Sequence, residues 1–156
     1  GLSRPILRDV AEGRADLGLI TDGSAVPRGL EATPWQQDRL LAVMAAAHPL
    51  AARQSLPFAE VLDHPLIGLL SGGALGLLLE AEAARLGRAP RWRFALATPD
   101  GARRLAAAGL GIVIMPDSMA LPGLRGVPLA DGWARRVLRL VSPPPAELPA
   151  PARLLR

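Results

Sequence analysis

Short apolar runs alternate with helical patterns in the middle of the chain. Strand patterns at residues 66–70, 91–97 and 112–115 enclose helical patterns at 74–86 and 99–108. Strands that alternate with helices over short connections form right-handed crossovers, so this order predicts an α/β fold with a parallel sheet. One face of the first helix is predicted to pack on that sheet, and it carries Leu75, Leu78, Leu79 and Leu86.

The two ends of the chain carry further predicted elements. Ser3 is predicted to cap a helix that has Pro5 in its first turn and ends at Gly13, and a buried strand follows at 16–20. The remaining predicted elements are extended segments at 30–36 and 38–46, a short helix at 57–62, strands at 125–129 and 135–141, and, after a proline-rich stretch at 143–151, the start of a last helix.

Composition supports a folded domain and narrows its class. Half of the 156 residues are hydrophobic, so a packed core is expected. The chain has no apolar run of about 18 residues, the length that spans a membrane, and no secretion signal at its start. The absence of Cys excludes disulfides and thiolate metal sites. A start at Gly1, without Met, suggests a piece of a longer protein.

The net charge of +4 does not by itself indicate nucleic-acid binding. All 18 basic residues are Arg, and they are scattered along the chain instead of forming a stripe. Aromatic residues, which stack on exposed bases, make up only 3% of the chain. We therefore expect no direct contact between this chain and DNA or RNA.

No motif indicates a catalytic site. The sequence contains no Gly-x-Ser-x-Gly elbow, no phosphate loop and no His-Glu-x-x-His helix. His48 and His64 each precede a Pro-Leu pair in a predicted loop, where a structural role outweighs metal binding. Glu80 and Glu82 lie two apart on one helix and point to different sides, so they cannot act as an acid–base pair. The sequence predicts a protein that is not an enzyme and uses neither cofactor nor metal.

A glycine-rich turn is the strongest candidate for ligand binding. Ser71, Gly72 and Gly73 connect the strand at 66–70 to the following helix, and ligands of open α/β sheets bind at such turns. Glycines permit close approach of a ligand, and the free N–H groups that open the helix favour an anion. For Ser71, ligand contact and simple helix capping are about equally supported.

Three more polar residues occupy comparable positions. Ser3 heads a helix, Thr21 follows the strand at 16–20, and Thr98 connects the strand at 91–97 to its helix. The alternative for Ser3 is that it only caps its helix, because capping residues outnumber ligand contacts several-fold. Thr21 and Thr98 are weak candidates when each is taken alone.

Three segments carry the signatures of one protein family in the same order. Residues 9–19 read DVAEGRADLGL, residues 48–51 read HPLA after an apolar strand, and residues 106–116 read AAAGLGIVIMP. In this order and spacing they resemble the effector-binding domain of LysR-type transcriptional regulators. The resemblance covers nearly the whole chain.

The resemblance implies the fold of type 2 periplasmic solute-binding proteins, in which two crossing strands join two α/β lobes around a cleft. Residues 1–42 and 121–156 would form the first lobe, and residues 43–120 the second. Family members have a helix-turn-helix, a linker helix and a strand–helix–strand unit ahead of Ser3, so the first lobe is expected to be incomplete. The strand at 16–20 would then have an unpaired edge, and we expect the isolated chain to self-associate.

The sequence therefore predicts the ligand-sensing domain of a LysR-type regulator. The ligand is expected to be a small anionic metabolite in the cleft, and the predicted contacts are Ser3, Thr21, Ser71, Gly72, Gly73 and Thr98. Expected partners are the effector, further copies of the regulator, and DNA only through the helix-turn-helix; a cytoplasmic location without membrane contact follows. The alternative is an extracytoplasmic solute-binding protein of a transport system, which has the same fold.

Overall fold

The chain passes twice between two structural units, at residues 38–39 and 135–136. The first unit comprises Gly1–Asp38 and Arg136–Arg156, and the second comprises Arg39–Arg135. The computed structural model describes residues 3–21, 24–69, 73–117 and 122–154. Residues 122–135, predicted in the first lobe, belong to the second unit because their strand pairs there.

The first unit is a small antiparallel sheet with one long helix on it. Helix α1 (Ser3–Ala11) leads into strand β1 (Gly18–Thr21), which pairs antiparallel with β7 (Arg135–Ser142). β7 lies next to β2 (Glu31–Ala45), so the strand order is β1–β7–β2. A short helix, α5 (Ala150–Arg153), ends the described chain.

Helix α1 packs on this sheet through its apolar face. Leu7 and Val10 of α1 are buried against Ile20 of β1 and Val141 of β7. Gly13 has a positive φ of 69° and ends the helix, as predicted. Ser3 is the first helical residue in the structure, one position inside the cap predicted for it.

The second unit is a mixed sheet covered on both faces. Its strands are the end of β2, β3 (Leu66–Leu69), β4 (Trp92–Leu96), β5 (Ile112–Pro116) and β6 (Leu124–Pro128), in the order β6–β2–β5–β3–β4. β3 is parallel to β4 and to β5, which confirms the predicted parallel arrangement, whereas β2 is antiparallel to β5 and β6. The helices are α2 (Phe58–Val61), α3 (Gly73–Arg85) and α4 (Pro99–Ala107).

Side-chain alternation along β2 builds a core on each face of this sheet. Leu40, Ala42 and Met44 contribute to a large cluster that includes Phe58 of α2 and Leu79 of α3. Leu41 and Val43 contribute to a second cluster, which includes Ala102 and Ala106 of α4. Because side chains of a strand point alternately to its two faces, one apolar run supplies both cores.

Two predicted features differ in the structure. The extended segments predicted at 30–36 and 38–46 form one 15-residue strand, β2. Leu86, predicted on the buried face of α3, follows the end of that helix and is 48% exposed. Its helix partners behave as predicted, since Leu79 is buried and Leu75 and Leu78 pack against the core.

Within the described residues, no helix combines the length and apolarity that crossing a membrane requires.

Candidate ligand site

Two neighbouring strands of the second unit end at the same edge of its sheet, and a helix follows each of them. β3 and β4 are parallel neighbours, and Leu69 lies opposite Leu96 near their carboxyl ends. Thr98 follows β4 by two residues, and Gly73, the first residue of α3, follows β3 by four. Because parallel strands end at the same edge of a sheet, Gly73 and Thr98 lie on one side of this unit.

Thr98 caps α4 through its side chain. Its backbone is extended, with φ −126° and ψ 142°, and its Oγ1 accepts a hydrogen bond of 3.2 Å from the Gly101 N–H. Pro99 occupies the first helical position, where its missing N–H leaves no donor unpaired. The capping bond uses an acceptor site of the hydroxyl, and the hydroxyl proton can still be donated to a ligand.

The charges at the start of α4 do not favour an anionic ligand. Asp100 lies in the first turn, where its carboxylate already interacts with the positive end of the helix. Arg104 donates from Nε to Asp100 Oδ2 at 3.1 Å, and Arg103 Nη2 lies 3.5 Å from Oδ1. The acid and its two Arg partners form a local network, so a second anion would compete with Asp100.

Helix α3 begins differently. Its first turn carries no acidic residue, so no carboxylate of that turn occupies the positive end of the helix. A Cβ built on Gly76 would meet no atom within 4 Å, which leaves open space beside the first turn. The predicted contacts Ser71 and Gly72 lie outside the described residues, and Gly73 is the part of that turn which the structure describes. Of the two helix starts, α3 is therefore the better suited to an anion.

The sheet below α3 leaves little internal space. A Cβ on Gly68 of β3 would approach the Trp92 ring to 3.1 Å, and the Trp92 Nε1 lies 3.3 Å from Glu80 Oε1 of α3. An apolar cavity of about 30 Å³ remains between α3 and the strands. This volume holds about one water molecule, so a metabolite would have to bind outside it.

The other predicted contacts, Ser3 and Thr21, lie in the first unit. α1 begins at Ser3, and the chain then turns back into β1, which packs against α1 and ends at Thr21. The start of α1 and the end of β1 therefore lie towards the same end of this unit. Thr21 is exposed and opposite Leu138 of β7. Like α3, α1 has no acidic residue in its first turn.

A larger apolar groove, of about 520 Å³, also lies in the first unit. It contains none of the predicted ligand contacts, and the sequence analysis did not identify it. Its lining residues are Ile6, Asp9, Ala15, Leu17, Gly18, Leu19, Trp35 and Leu140. The sequence signal for it is Trp35, a large aromatic residue directly before four polar residues of β2, at positions 36–39.

The two histidines lie close together in the second unit. Their ring centroids are 5.0 Å apart in an edge-to-face arrangement, and His48 Nδ1 accepts a 3.1 Å hydrogen bond from the Leu50 N–H. Burial lowers the pKa of His48, and repulsion from His64 lowers it further. In the part of the chain that the structure describes, no group of three or more His, Cys, Asp or Glu residues is arranged to hold a metal ion.

Comparison with known protein families shows to which family the chain belongs. The model of the LysR substrate-binding domain matches residues 1–156. The chain belongs to this family of transcriptional-regulator domains.

Individual relatives agree with the family match. The uncharacterized HTH-type transcriptional regulator YbhD of Escherichia coli (strain K12) is 26% identical over 132 residues, covering 81% of this chain and 41% of YbhD. The effector-binding domain of BenM, solved with its effector benzoate, superposes with a TM-score of 0.71 at 22% identity, over 90% of this chain and 66% of that one. The effector-binding domain of QuiR, solved with shikimate, gives 0.70 at 21% identity, over 99% and 75%.

These comparisons confirm the fold class predicted from the sequence, the fold of LysR effector-binding domains. The chain spans only about two-fifths of the length of the curated relative.

Proposed function

We propose that this chain is a ligand-sensing domain that binds a small anionic metabolite and thereby modulates transcription by a LysR-type regulator. The single observation that carries the proposal is the start of α3. This helix begins without an acid at the carboxyl edge of parallel strands β3 and β4, next to the Thr98 turn. A carboxylate placed there accepts hydrogen bonds from free backbone N–H groups and interacts favourably with the helix dipole.

The ligands named for two fold neighbours support the anionic class. BenM takes benzoate, and the QuiR domain was solved with shikimate; both ligands are carboxylates. A free helix N-terminus suits the carboxylate group that these two ligands share, whatever the rest of the molecule. We infer that the ligand of this chain has a carboxylate that binds at the start of α3 and a less polar body.

The regulatory step is a shift between conformations. A ligand that binds one conformation better than another raises the population of the first by the difference in its two binding free energies. The longer regulator would pass this shift to its DNA-binding part. Ser71, Gly72, Gly73 and Thr98 are the proposed contacts in the second unit, and Ser3 and Thr21 are those in the first.

Paired carboxylates and amides test the ligand class. Benzoate or shikimate at about 100 times its dissociation constant should stabilise the folded chain by about 2.7 kcal/mol, measured as a rise in melting temperature. Benzamide and the amide of shikimate are the matched controls, because they keep the shape and lose the charge. Equal shifts with acid and amide would contradict the anionic class, and a panel of small carboxylates without any shift would contradict the proposed function.

Single substitutions test the site. Ser71→Ala should weaken binding of the active carboxylate by about 0.5–1.5 kcal/mol, or up to about 3 if its hydroxyl contacts the charge directly, with a normal melting curve of the free protein. Asp100→Asn is a useful comparison, since it removes the acid two residues after the proposed contact Thr98 and should leave affinity unchanged or raise it slightly, because one nearby negative charge is lost. If Asp100→Asn raises affinity more than Ser71→Ala lowers it, the carboxylate of the ligand lies nearer to the start of α4 than to that of α3.

A further inference from the structure

A trough lies between helix α3 and the strands beneath it. Gly76 of α3, Gly68 of β3 and Trp92 of β4 line one small apolar cavity, and the surface around this cavity is called the α3 trough below. A Cβ built on Gly76 meets no atom within 4 Å, although Gly76 is half-buried inside a 13-residue helix. Because Ala stabilises a helix interior relative to Gly, this position has room for a favourable side chain that the sequence does not supply.

The ring of Trp92 lies at the end of the trough away from the start of α3. A Cβ on Gly68 would lie 3.1 Å from Cε3 and 3.4 Å from Cζ3 of this ring, so the glycine lets the ring lie close to β3. The indole Nε1 donates to Glu80 Oε1 at 3.3 Å, which ties the ring to α3 about one turn beyond Gly76. Trp92 is 36% exposed, so part of its ring is left to contact a ligand.

Charge differs between the two ends of the trough. The first turn of α3, from Gly73, carries no acidic residue and provides the positive end of the helix dipole. The carboxylate of Glu80 lies at the other end, beside Trp92. Gly76 lies between them, about 4.5 Å along the helix axis from Gly73. An anion with an apolar body is therefore oriented by the trough, with its carboxylate towards Gly73 and its body towards Trp92.

We propose that the α3 trough receives a flat aromatic ring of the carboxylate ligand, which packs against Trp92 in the space beside Gly76. This inference rests on the proposed function, in which the carboxylate binds at the start of α3. The enclosed part of the trough has a volume of about 30 Å³, so only the edge of the ring enters it and the rest lies against α3 and the indole. An aromatic ring has a negative face and a positive edge, so it gains more from contact with Trp92 than a saturated ring does.

Benzoate and cyclohexanecarboxylate test the contact with Trp92, because both carry a carboxylate on a six-membered ring and only benzoate is flat and aromatic. Calorimetric titration of the 156-residue chain should give benzoate a dissociation constant roughly two- to tenfold lower, the range that aromatic pairs contribute. Trp92→Leu should remove this preference and leave the affinity for cyclohexanecarboxylate nearly unchanged. The same preference for benzoate in the wild type and in Trp92→Leu would overturn the proposed contact.

Substitutions at Gly76 test whether the ring occupies the space beside α3. Gly76→Leu fills this space and should weaken benzoate binding by roughly tenfold or more. Gly76→Ala should weaken it less and raise the melting temperature of the free protein, since Ala is the better helix former, and this variant carries the test if Gly76→Leu fails to fold. Leu77→Ala is the matched control, because Leu77 is the next residue of α3 and is 62% exposed, and it should leave benzoate affinity unchanged.

The outcomes separate this inference from the proposed function. Wild-type affinity for benzoate in both Gly76 variants would mean that the body of the ligand binds elsewhere, which overturns the inference and leaves the proposed function standing. A chain that binds cyclohexanecarboxylate and not benzoate has the same consequence. A chain that binds neither acid contradicts the proposed function, and the inference fails with it.

Discussion

A buried ion pair joins two strands where the chain passes between the two units, and a single residue of it is expected to affect stability. Arg136 of β7 binds Asp38 of β2 with two parallel hydrogen bonds, Nε to Oδ1 at 2.8 Å and Nη2 to Oδ2 at 2.6 Å. The Asp38 side chain is 6% exposed and that of Arg136 18%. Such a bidentate pair ties two neighbouring strands together with a geometry that a lysine could not reproduce.

We predict that Asp38→Asn lowers the free energy of unfolding by about 3 kcal/mol, because it leaves the charge of Arg136 largely buried without its counterion. Arg53→Ala is the control, as Arg53 and Glu60 form a bidentate pair with side chains 46% and 40% exposed. Exposed pairs contribute about 0–1 kcal/mol. Urea unfolding of the two variants measures the difference, and equal losses would show that the Asp38 pair adds no more than a surface pair.

His48 makes stability depend on pH. Burial and His64 lower the pKa of His48 in the folded protein below the ordinary value of about 6.5. Between the two pKa values the unfolded chain binds more protons than the folded one. This contribution to stability is therefore fully present above pH 6.5, is lost as the pH falls below it, and levels off below the folded pKa.

His48→Asn should remove that part of the pH dependence, since an amide does not titrate and its oxygen can still accept the Leu50 N–H. The measurement is the free energy of unfolding on either side of pH 6.5 for both proteins. The wild type should lose more stability on acidification than the variant. Identical slopes would show that His48 titrates at its ordinary pKa.

At the scale of elements, a glycine determines how closely α1 approaches β1. A Cβ on Gly18 would lie 2.5 Å from Ile6 Cγ2 and 3.1 Å from Val10 Cγ2. Both contacts are methyl groups of β-branched side chains on a helix, which have little freedom to move. This contact gives a physical reason for the glycine of the Asp-Leu-Gly segment by which the chain resembles its family.

We predict that Gly18→Ala destabilises the protein by about 1–3 kcal/mol, because α1 must move away from the sheet. Hydrogen exchange of the α1 amides should increase as well. Gly132→Ala is the matched control, since a Cβ there meets no atom within 4 Å and it should change stability by less than about 0.5 kcal/mol. A Gly18→Ala protein as stable as Gly132→Ala would mean that the packing relaxes at no cost.

Elements whose determinants are local were predictable from the sequence, and those that depend on distant pairing were not. The helix predicted at 99–108 is α4 in the structure, and its start is set locally by the Thr98 cap and by Pro99. β2 was predicted as two extended segments, 30–36 and 38–46, of which only the second is apolar enough to lie inside a sheet. The structure keeps one strand because neighbouring strands pair along it, and such pairing is a long-range property.

One part of the candidate site was predictable from the sequence, and the apolar groove of the first unit was not. Gly73 and Thr98 lie at one edge of the sheet because β3 and β4 are parallel. That parallel order was predictable from the alternation of strands and helices along the chain. The groove around β1 was not predictable, because it is formed by α1, β1, β2 and β7, which are far apart in sequence. Only the strand order in space brings Leu19, Trp35 and Leu140 together.

At the scale of the whole molecule, the two units differ in the size of their cores. Two clusters pack the faces of the second unit, and the larger includes fully buried residues such as Phe58, Leu62 and Met44. The described cluster of the first unit has four buried members, Leu7, Val10, Ile20 and Val141. Burial of apolar surface is the main favourable contribution to folding, so the first unit has less to hold it together.

The position of each strand in its sheet adds to the difference in stability between the two units. β5 lies between β2 and β3 in the interior of its sheet, whereas β1 is at an edge. Local opening requires less free energy where few apolar contacts and few strand pairings must be broken. At low protein concentration, the amides of Gly18–Thr21 should therefore exchange much faster than those of residues 112–115 in β5, with the rest of residues 3–38 closer to the former. Residue-resolved hydrogen exchange makes the comparison directly. A monomer that protects β1 as strongly as β5 would mean that the two units unfold together, and that the core of the second unit also stabilises the first.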